Sequence, residues 1–412
     1  MTVTLVCDIF GEENNGTSVA TMNLMRYLKK SGFTVRVLCA DQTKRGKENF
    51  FVVSNRSFGK SLDALVEKIG VSLAKPDKET VSAALKGADH VHVMFPLELG
   101  MAAVKAARAM GLPITVGFHM QAENFTGYLK LNGLRFANTL VYKFIYNRVY
   151  RYADAVHYPT AFIRGVFESR TGRTTNGYVI SNGVHSYIKK RETPKPEEYA
   201  DKTVILCTGR YAAEKSQDTL IKAVKRSKYK DSIQLIFAGQ GLKEKRYKRL
   251  AADLPVQPVF RLYSRDEMVD VINYCDMYVH PAVVELEGIA CLESIACGKL
   301  TIVSDSKKSA TKDFALDGKC IFRKRSAKDL ARVLDYWIER PDEREVYGLR
   351  YLESGIAADV DKCMEKMVEM IETTAAKKQA SKVKYELIAN FTADGSAFAC
   401  DLDDDEIAET VK

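Results

Sequence analysis

Residues 280–303 read His280-Pro-Ala-Val-Val-Glu285-Leu-Glu287-Gly288-Ile-Ala-Cys-Leu-Glu293-Ser-Ile-Ala-Cys-Gly298-Lys-Leu-Thr-Ile-Val303. A strand over Met277–His280 leads into a loop that carries acids. A short helix over Cys291–Cys297 then gives way to a second strand over Leu300–Val303. Glu285 and Glu293 stand eight residues apart, one in the loop and one in the first turn of the helix. Such a pair can hold a sugar at one end and a ribose at the other.

The same alternation extends in both directions. Upstream, strands are predicted at Thr2–Cys7, Phe33–Cys39, His90–Met94, Ile114–Gly117, Ala155–His157, Tyr178–Ile180, Thr203–Cys207 and Ile233–Ala238. Helical spacing covers Ser18–Lys30, Met101–Met110 and Gln217–Val224. Strands alternating with helices imply parallel sheets covered on both faces. The Pro- and charge-rich run Arg191-Glu-Thr-Pro-Lys-Pro-Glu197 reads as a linker. Downstream, Ala327–Tyr336 and residues 355–377 have long helical patterns, and Asp401–Glu409 is an acidic tail.

A chain of 412 residues exceeds the size at which one core stops growing, so two domains are expected. The nine cysteines stand singly, with no CxxC, and the first residues read as a strand rather than a signal peptide. Both features suggest a reducing compartment. No apolar run is long enough to span a bilayer. A formal charge of +9 suits phosphate-bearing substrates, an anionic membrane surface or nucleic acid. Nucleic-acid binding rests on that charge alone, because no recognised reading element accompanies it.

Ligands of doubly wound sheets sit beyond the C-terminal ends of the strands. Gly209-Arg210-Tyr-Ala-Ala-Glu214-Lys215 follows a strand and precedes a helix. Arg210 and Lys215 there are candidates to hold a diphosphate, and a solvated charged turn is the competing reading. Gly288 is a place for close backbone approach to a ligand. The amides of Ile289 and Ala290 are then candidates to point at a phosphate. Glu293 can accept from ribose hydroxyls, and Glu285 can face the hexose or positive charge developing at its anomeric carbon. Glu287 is open between a ligand role and an ordinary acid at a helix N-terminus. His119, at a strand end in the first half, is a candidate to orient a sugar hydroxyl or else a structural histidine. His90 and His92 share one strand face and read as core or cleft residues. No metal-ligand spacing occurs.

Residues 131–152 place Leu134, Ala137, Val141, Phe144, Ile145 and Val149 at helical spacing, with Arg135, Lys143, Arg148 and Arg151 interspersed. The segment reads equally as a basic amphipathic surface for an anionic membrane and as a core-facing helix with a solvated basic side.

On these residues the chain resembles the retaining GT-B glycosyltransferases of family 4 over most of residues 1–375. The motifs that carry the resemblance are the loop from Gly11 to Thr17, His119, Asn182-Gly183-Val184, Gly209-Arg210 with Glu214-Lys215, and Glu285 through Glu293. The common Glu-Gly-Phe-Gly reads Glu285-Leu286-Glu287-Gly288 here, nearer to lipid-glycosylating members. The resemblance implies an α/β GT-B fold, with two Rossmann-like domains facing across a cleft and a C-terminal helix crossing back to the first. The expected division is an acceptor-side domain at 1–194, a nucleotide-sugar domain at 195–354, a crossover helix at 355–377 and an extension at 378–412.

It further implies a hexosyltransferase, with UDP-glucose as donor and a membrane lipid such as diacylglycerol as acceptor. His119, Arg210, Lys215 and Glu285 would be catalytic. Gly16, Thr17, Gly209, Arg210, Lys215, Gly288, Ile289, Ala290 and Glu293 would hold the donor. No essential metal, no tightly bound cofactor and no nucleic-acid partner are expected, and the location would be peripheral on the cytoplasmic membrane face. The alternatives are a soluble sugar or lipid-linked cell-wall precursor as acceptor, and a non-catalytic nucleotide-sugar-binding protein.

Overall fold

The computed structural model describes residues 1–8, 10, 16–57, 74–123, 126 and 134–393. The residues between Gly11 and Gly16 and the acidic tail, both singled out in the sequence, lie outside them.

The first half builds seven parallel strands: β1 (Thr2–Cys7), β2 (Thr34–Cys39), β3 (Phe50–Val52), β6 (His90–Val93), β7 (Ile114–Gly117), β8 (Ala155–Tyr158) and β9 (Gly177–Val179). Two short strands, β4 (Ser54–Asn55) and β5 (Ala74–Lys75), pair antiparallel beside them. The order is β3-β2-β1-β6-β7-β8-β9. Helices α1 (Gly16–Lys30), α2 (Lys78–Leu85), α3 (Glu98–Ala109), α4 (Arg135–Arg148) and α5 (Ala161–Thr171) accompany this sheet.

The second half repeats the plan with β10 (Thr203–Thr208), β11 (Ile233–Ala238), β12 (Val259–Arg261), β13 (Met277–His280), β14 (Thr301–Ser304) and β15 (Ile321–Phe322), in the order β12-β11-β10-β13-β14-β15. Its helices are α6 (Gln217–Val224), α7 (Glu244–Ala251), α8 (Arg265–Tyr274), α9 (Ile289–Ala296), α10 (Ala327–Ile338) and α11 (Pro341–Glu353). The strand order reverses between β1 and β6 and again between β10 and β13. The loops after β1, β10 and β13 therefore leave the sheets where a crevice opens.

Both central strands are buried on both faces, as a parallel sheet covered by helices requires. Ile205, Phe237, Met277, Trp337 and Tyr351 belong to one core of the second sheet, and Val91, Val116, Phe118 and Phe167 to one of the first.

A final helix, α12 (Val360–Ala393), starts five residues later than the sequence pattern and continues past residue 377. Its Cys363, Met364, Met367 and Ile371 pack with Val3, Leu5, Leu24 and Leu28 of the first domain. Gly183 sits against the start of this helix, where an added Cβ would lie 2.5 Å from the Val360 Cα. The expected architecture is the observed one: two Rossmann-like halves with a C-terminal helix returning to the first.

Candidate active site

Three loops of the second domain shape one wall of the crevice. After β10, Gly209 adopts φ +137°, a backbone conformation that favours glycine. Gly239, after β11, closes on it, and a Cβ at 239 would lie 2.3 Å from the Gly209 carbonyl oxygen. This contact fixes where the Arg210–Lys215 turn begins. Arg210 is half exposed and ion-pairs with Glu214 at 3.2 Å, while Lys215 turns inward.

The Lys215 ammonium donates to the Glu285 Oε2. The same carboxylate is 3.0 Å from His280 Nε2, and His280 Nδ1 is 3.1 Å from the Tyr278 hydroxyl. Glu285 is held from the backbone too: its amide donates to the Lys308 carbonyl, and its carbonyl accepts from Ala310. Burial alone would raise the Glu285 pKa. The Lys215 charge and the His280 contact outweigh it and hold the carboxyl down at about 2. Burial works against the charge on Lys215, but Glu285 raises its pKa overall. The pair is therefore ionised across the working range.

Gly288 precedes α9 at φ +92°, and an added Cβ would lie 2.3 Å from the Thr311 Cγ2. The crowding that requires glycine thus comes from Thr311 of the same chain. Ile289 and Ala290 open α9, where backbone amides have no acceptor within the helix. Glu293 is half-buried, and no hydrogen bond to its carboxylate occurs among the described residues. Burial, partly countered by the charge of Arg265, lifts its pKa to about 7.

The opposite wall carries His119, just beyond β7. Its ring lies against Gly117, where an added Cβ would be 2.7 Å from Nε2, and meets the His157 ring edge-on at 5.4 Å between centroids. His157 Nε2 donates to the Ile180 carbonyl at 2.7 Å, which fixes that ring. Among the described residues His119 Nε2 has no hydrogen-bond partner. Burial, then the neighbouring His157, lowers the His119 pKa to about 3, so the ring is neutral. His90 and His92, left open between core and cleft, are buried and both contact the Thr115 hydroxyl at 2.8 Å. Gly16 and Thr17 open α1.

Glu287 resolves differently from its neighbours. It is buried and accepts from the Ser181 hydroxyl at 2.6 Å and from the Asn182 amide at 2.9 Å, as well as from the Asn182 side chain. The Leu286 carbonyl accepts from Thr160 at 3.0 Å, and its side chain packs on the first domain's core. Gln121 donates to the Lys308 carbonyl at 3.0 Å. The departure Leu286-Glu287 from the commoner motif is thus a clasp between the two halves. His280 and Glu287 were legible only as members of the quoted stretch, because their partners lie elsewhere in the chain.

Two family profiles divide the chain in the same place as its two sheets. "Glycosyltransferase Family 4" matches residues 14–186 and "Glycosyl transferases group 1" matches residues 188–350. Each half of the chain is thus similar to one glycosyltransferase family, and the two halves together have the GT-B-like plan. Among solved structures, Anabaena HepE in complex with UDP-glucose superposes on this chain with a TM-score of 0.69, at 15% identity, covering 90% of this chain and 100% of that one. That likeness speaks for the fold.

Among curated proteins, a GDP-mannose-dependent α-(1-6)-phosphatidylinositol dimannoside mannosyltransferase of Mycobacterium tuberculosis is 28% identical over 46% of this chain and 50% of its own. The α-monoglucosyldiacylglycerol synthase of Streptococcus pneumoniae is 22% identical over 51% of this chain and 50% of its own. The chain spans about half the length of these curated relatives. Among the described residues there is no cluster able to hold a metal and no helix long and apolar enough to cross a membrane.

Proposed function

We propose that this chain is a glycosyltransferase that moves a hexose, glucose from UDP-glucose, to a hydroxyl of a membrane lipid such as diacylglycerol, with retention at the anomeric carbon. The observation that carries the reading is the convergence of Lys215, Glu285 and the open first turn of α9 at one crevice, with His119, whose Nε2 has no partner among the described residues, on the other wall.

In this reading Arg210 and Lys215 neutralise charge on the leaving diphosphate. The amides of Ile289 and Ala290 face its oxygens, and Glu293 accepts from the ribose hydroxyls. The bond between the anomeric carbon and the phosphate oxygen breaks, and the acceptor oxygen bonds to the same face of that carbon. The acceptor proton passes to the departing phosphate. Glu285, permanently anionic, stabilises the positive charge on the sugar in between. Neutral His119 orients a sugar hydroxyl and is not required as a base. Closing the crevice excludes water that would hydrolyse the donor.

The lipid half of the reading rests on α4. Asn138, Tyr142 and Ile145 face inward. Phe136, Leu140 and Phe144 form an outward stripe, with exposures of 74%, 50% and 51%. Arg135, Lys143 and Arg148 are exposed around it. The sequence listing of one apolar side therefore divides in the fold, with Ile145 and Val149 inside and Leu134 and Phe144 outside. Apolar side chains ringed by cations suit an anionic bilayer. The inward side of α4 is tied to the acceptor-side segment, where the Tyr142 hydroxyl and the Asn138 amide both donate to Glu123. A membrane-seated α4 would thus sit beside the acceptor entrance. The two curated relatives named above, one using GDP-mannose and one a glucosyldiacylglycerol synthase, bracket the choice of donor.

Mass spectrometry of products, after incubation with a panel of nucleotide sugars and mixed lipid vesicles, tests the reading. A lipid gaining one hexose with UDP-glucose alone is the expected outcome. Transfer only from GDP-mannose would overturn the donor, and nucleotide release without a modified lipid would overturn the acceptor.

A further inference from the structure

The second domain holds a basic cavity of about 280 Å³ that none of the donor-side residues Arg210, Lys215, Glu285 or Glu293 lines. Lys222, Lys243, Arg246 and Arg325 surround it, and Asp218 is its one carboxylate. Asp218 already serves Lys222 at 3.0 Å and lies 3.8 Å from Arg246. No ion pair or side-chain hydrogen bond to Lys243 or Arg325 occurs among the described residues. Gathering like charges around a concavity raises its electrostatic cost unless an anion enters.

The backbone gives an independent sign. Three described residues other than glycine have positive φ: Asn49, Ser216 and Arg325. Two of them, Ser216 at +53° and Arg325 at +59°, line this cavity. An L side chain in that region carries a conformational cost of about 1 kcal/mol. Arg325 and Lys243 both line the cavity. The N-termini of α6, α7 and α10 all open beside the cavity, since Ser216, Lys243 and Arg325 lie at or one residue before their caps. Their aligned amides add to the same positive field.

We propose that this cavity is a second anion site, for a phosphate monoester or diester, separate from the donor diphosphate site. Ser216 follows Lys215 directly, so an occupant would fix the start of α6 and the Arg210–Lys215 turn with it. The site would thereby couple an anion's presence to the order of the donor loop. The ligand group is a phosphate carried either by a small molecule or by a lipid headgroup. The proposal does not depend on which sugar is transferred or to what.

The test uses the full chain and three probes: inorganic phosphate, glycerol phosphate, and dihexanoyl phosphatidylglycerol below its micelle concentration. Binding is read by isothermal titration on the parent protein, on Lys243→Ala/Arg325→Ala, and on Arg210→Ala. The first variant should weaken phosphate binding about tenfold or more, since two charge-assisted contacts are lost. Arg210→Ala should leave it within about twofold. Tighter binding of the short-chain lipid than of glycerol phosphate would assign the lipid source, and equal binding the soluble one. The site is overturned if Arg210→Ala alone abolishes binding, if all three proteins bind equally, or if none binds. Unchanged circular dichroism and melting temperature for the double variant would exclude misfolding as the cause of a loss.

Discussion

The Lys215 ammonium and the Glu285 carboxylate, 70 residues apart in sequence, form one ion pair beneath the crevice, with His280 on the same carboxylate oxygen. A donor entering this crevice would meet charges whose positions are already set. Such preorganisation means that little rearrangement accompanies the charge change of the reaction.

Removing one partner should therefore damage both fold and activity. Glu285→Gln should lower unfolding free energy by about 3 kcal/mol, because Lys215 stays buried without its counter-charge. The Glu285 pKa falls from an unfolded value of 4.5 to about 2. Its stabilising contribution is therefore full above pH 4.5 and is lost as pH falls through about 2. Lys215 is raised, so its contribution is full below 10.5 and fades as pH climbs through its folded value. Urea melts from pH 2 to 8 should show the parent losing stability at the acid end. The Glu285→Gln curve should be flatter there.

Glu293 has the opposite sign. Burial lifts its pKa from 4.5 to about 7, so its favourable contribution is present below 4.5 and lost as pH rises through about 7. At pH 8 this half-buried carboxylate is charged at a cost of no more than about 3 kcal/mol. Glu293→Gln should consequently melt higher than the parent at pH 8 and alike at pH 4. Under the proposed ribose role it should also bind nucleotide about tenfold more weakly. A variant that gains stability and keeps its nucleotide affinity would remove Glu293 from the donor site.

Gly117→Ala tests the placement of His119 without touching its chemistry. The new methyl group would occupy the space of the imidazole Nε2, forcing the ring to another rotamer. Turnover should fall at least tenfold with a nearly unchanged nucleotide affinity. Equal turnover would show that the position of this ring does not matter to transfer.

The Glu287 clasp should govern how the halves sit together. Glu287→Ala strands the buried donors of Asn182, at a cost of about 2–3 kcal/mol. Small-angle scattering should show a broader distribution of interdomain distances. Nucleotide affinity, read on the second domain's loops, should change less than twofold.

On α4, replacing Phe136, Leu140 and Phe144 by Ser should abolish binding to anionic liposomes, and replacing Arg135, Lys143 and Arg148 by Gln should make it weaker and less salt-dependent. Neither set faces the core, so melting temperatures should move by no more than a degree or two. Liposome flotation decides this, and undiminished flotation of both variants would return α4 to a packing role.

Several elements were legible because their signals are local, while helices α5 and α11 were not read from the sequence. Thr2–Cys7, Gln217–Val224, Ile233–Ala238 and Met277–His280 fall where apolar runs and helical spacing put them. The missed strands Phe50–Val52, Ser54–Asn55, Ala74–Lys75, Val259–Arg261 and Ile321–Phe322 are two or three residues long, too short to show a period, and lie at sheet edges. Helix α3 begins before the predicted Met101 because Leu97 caps it without any side-chain hydrogen bond. Helix α8 did carry a readable signal, the Ser264–Glu267 capping box.

By itself the sequence determined the two parallel sheets, the glycine loops beyond their strands, and the spacing of Glu285 from Glu293. These follow from backbone conformational preference and from which faces can be buried. Only the tertiary structure decided that Lys215 would pair with Glu285, that Glu287 would turn away to Asn182, and that Thr311 would be the neighbour demanding glycine at 288. Each of those contacts joins loops from distant parts of the chain. Their partners are chosen by how rigid elements and whole domains pack, and local sequence carries no record of that choice.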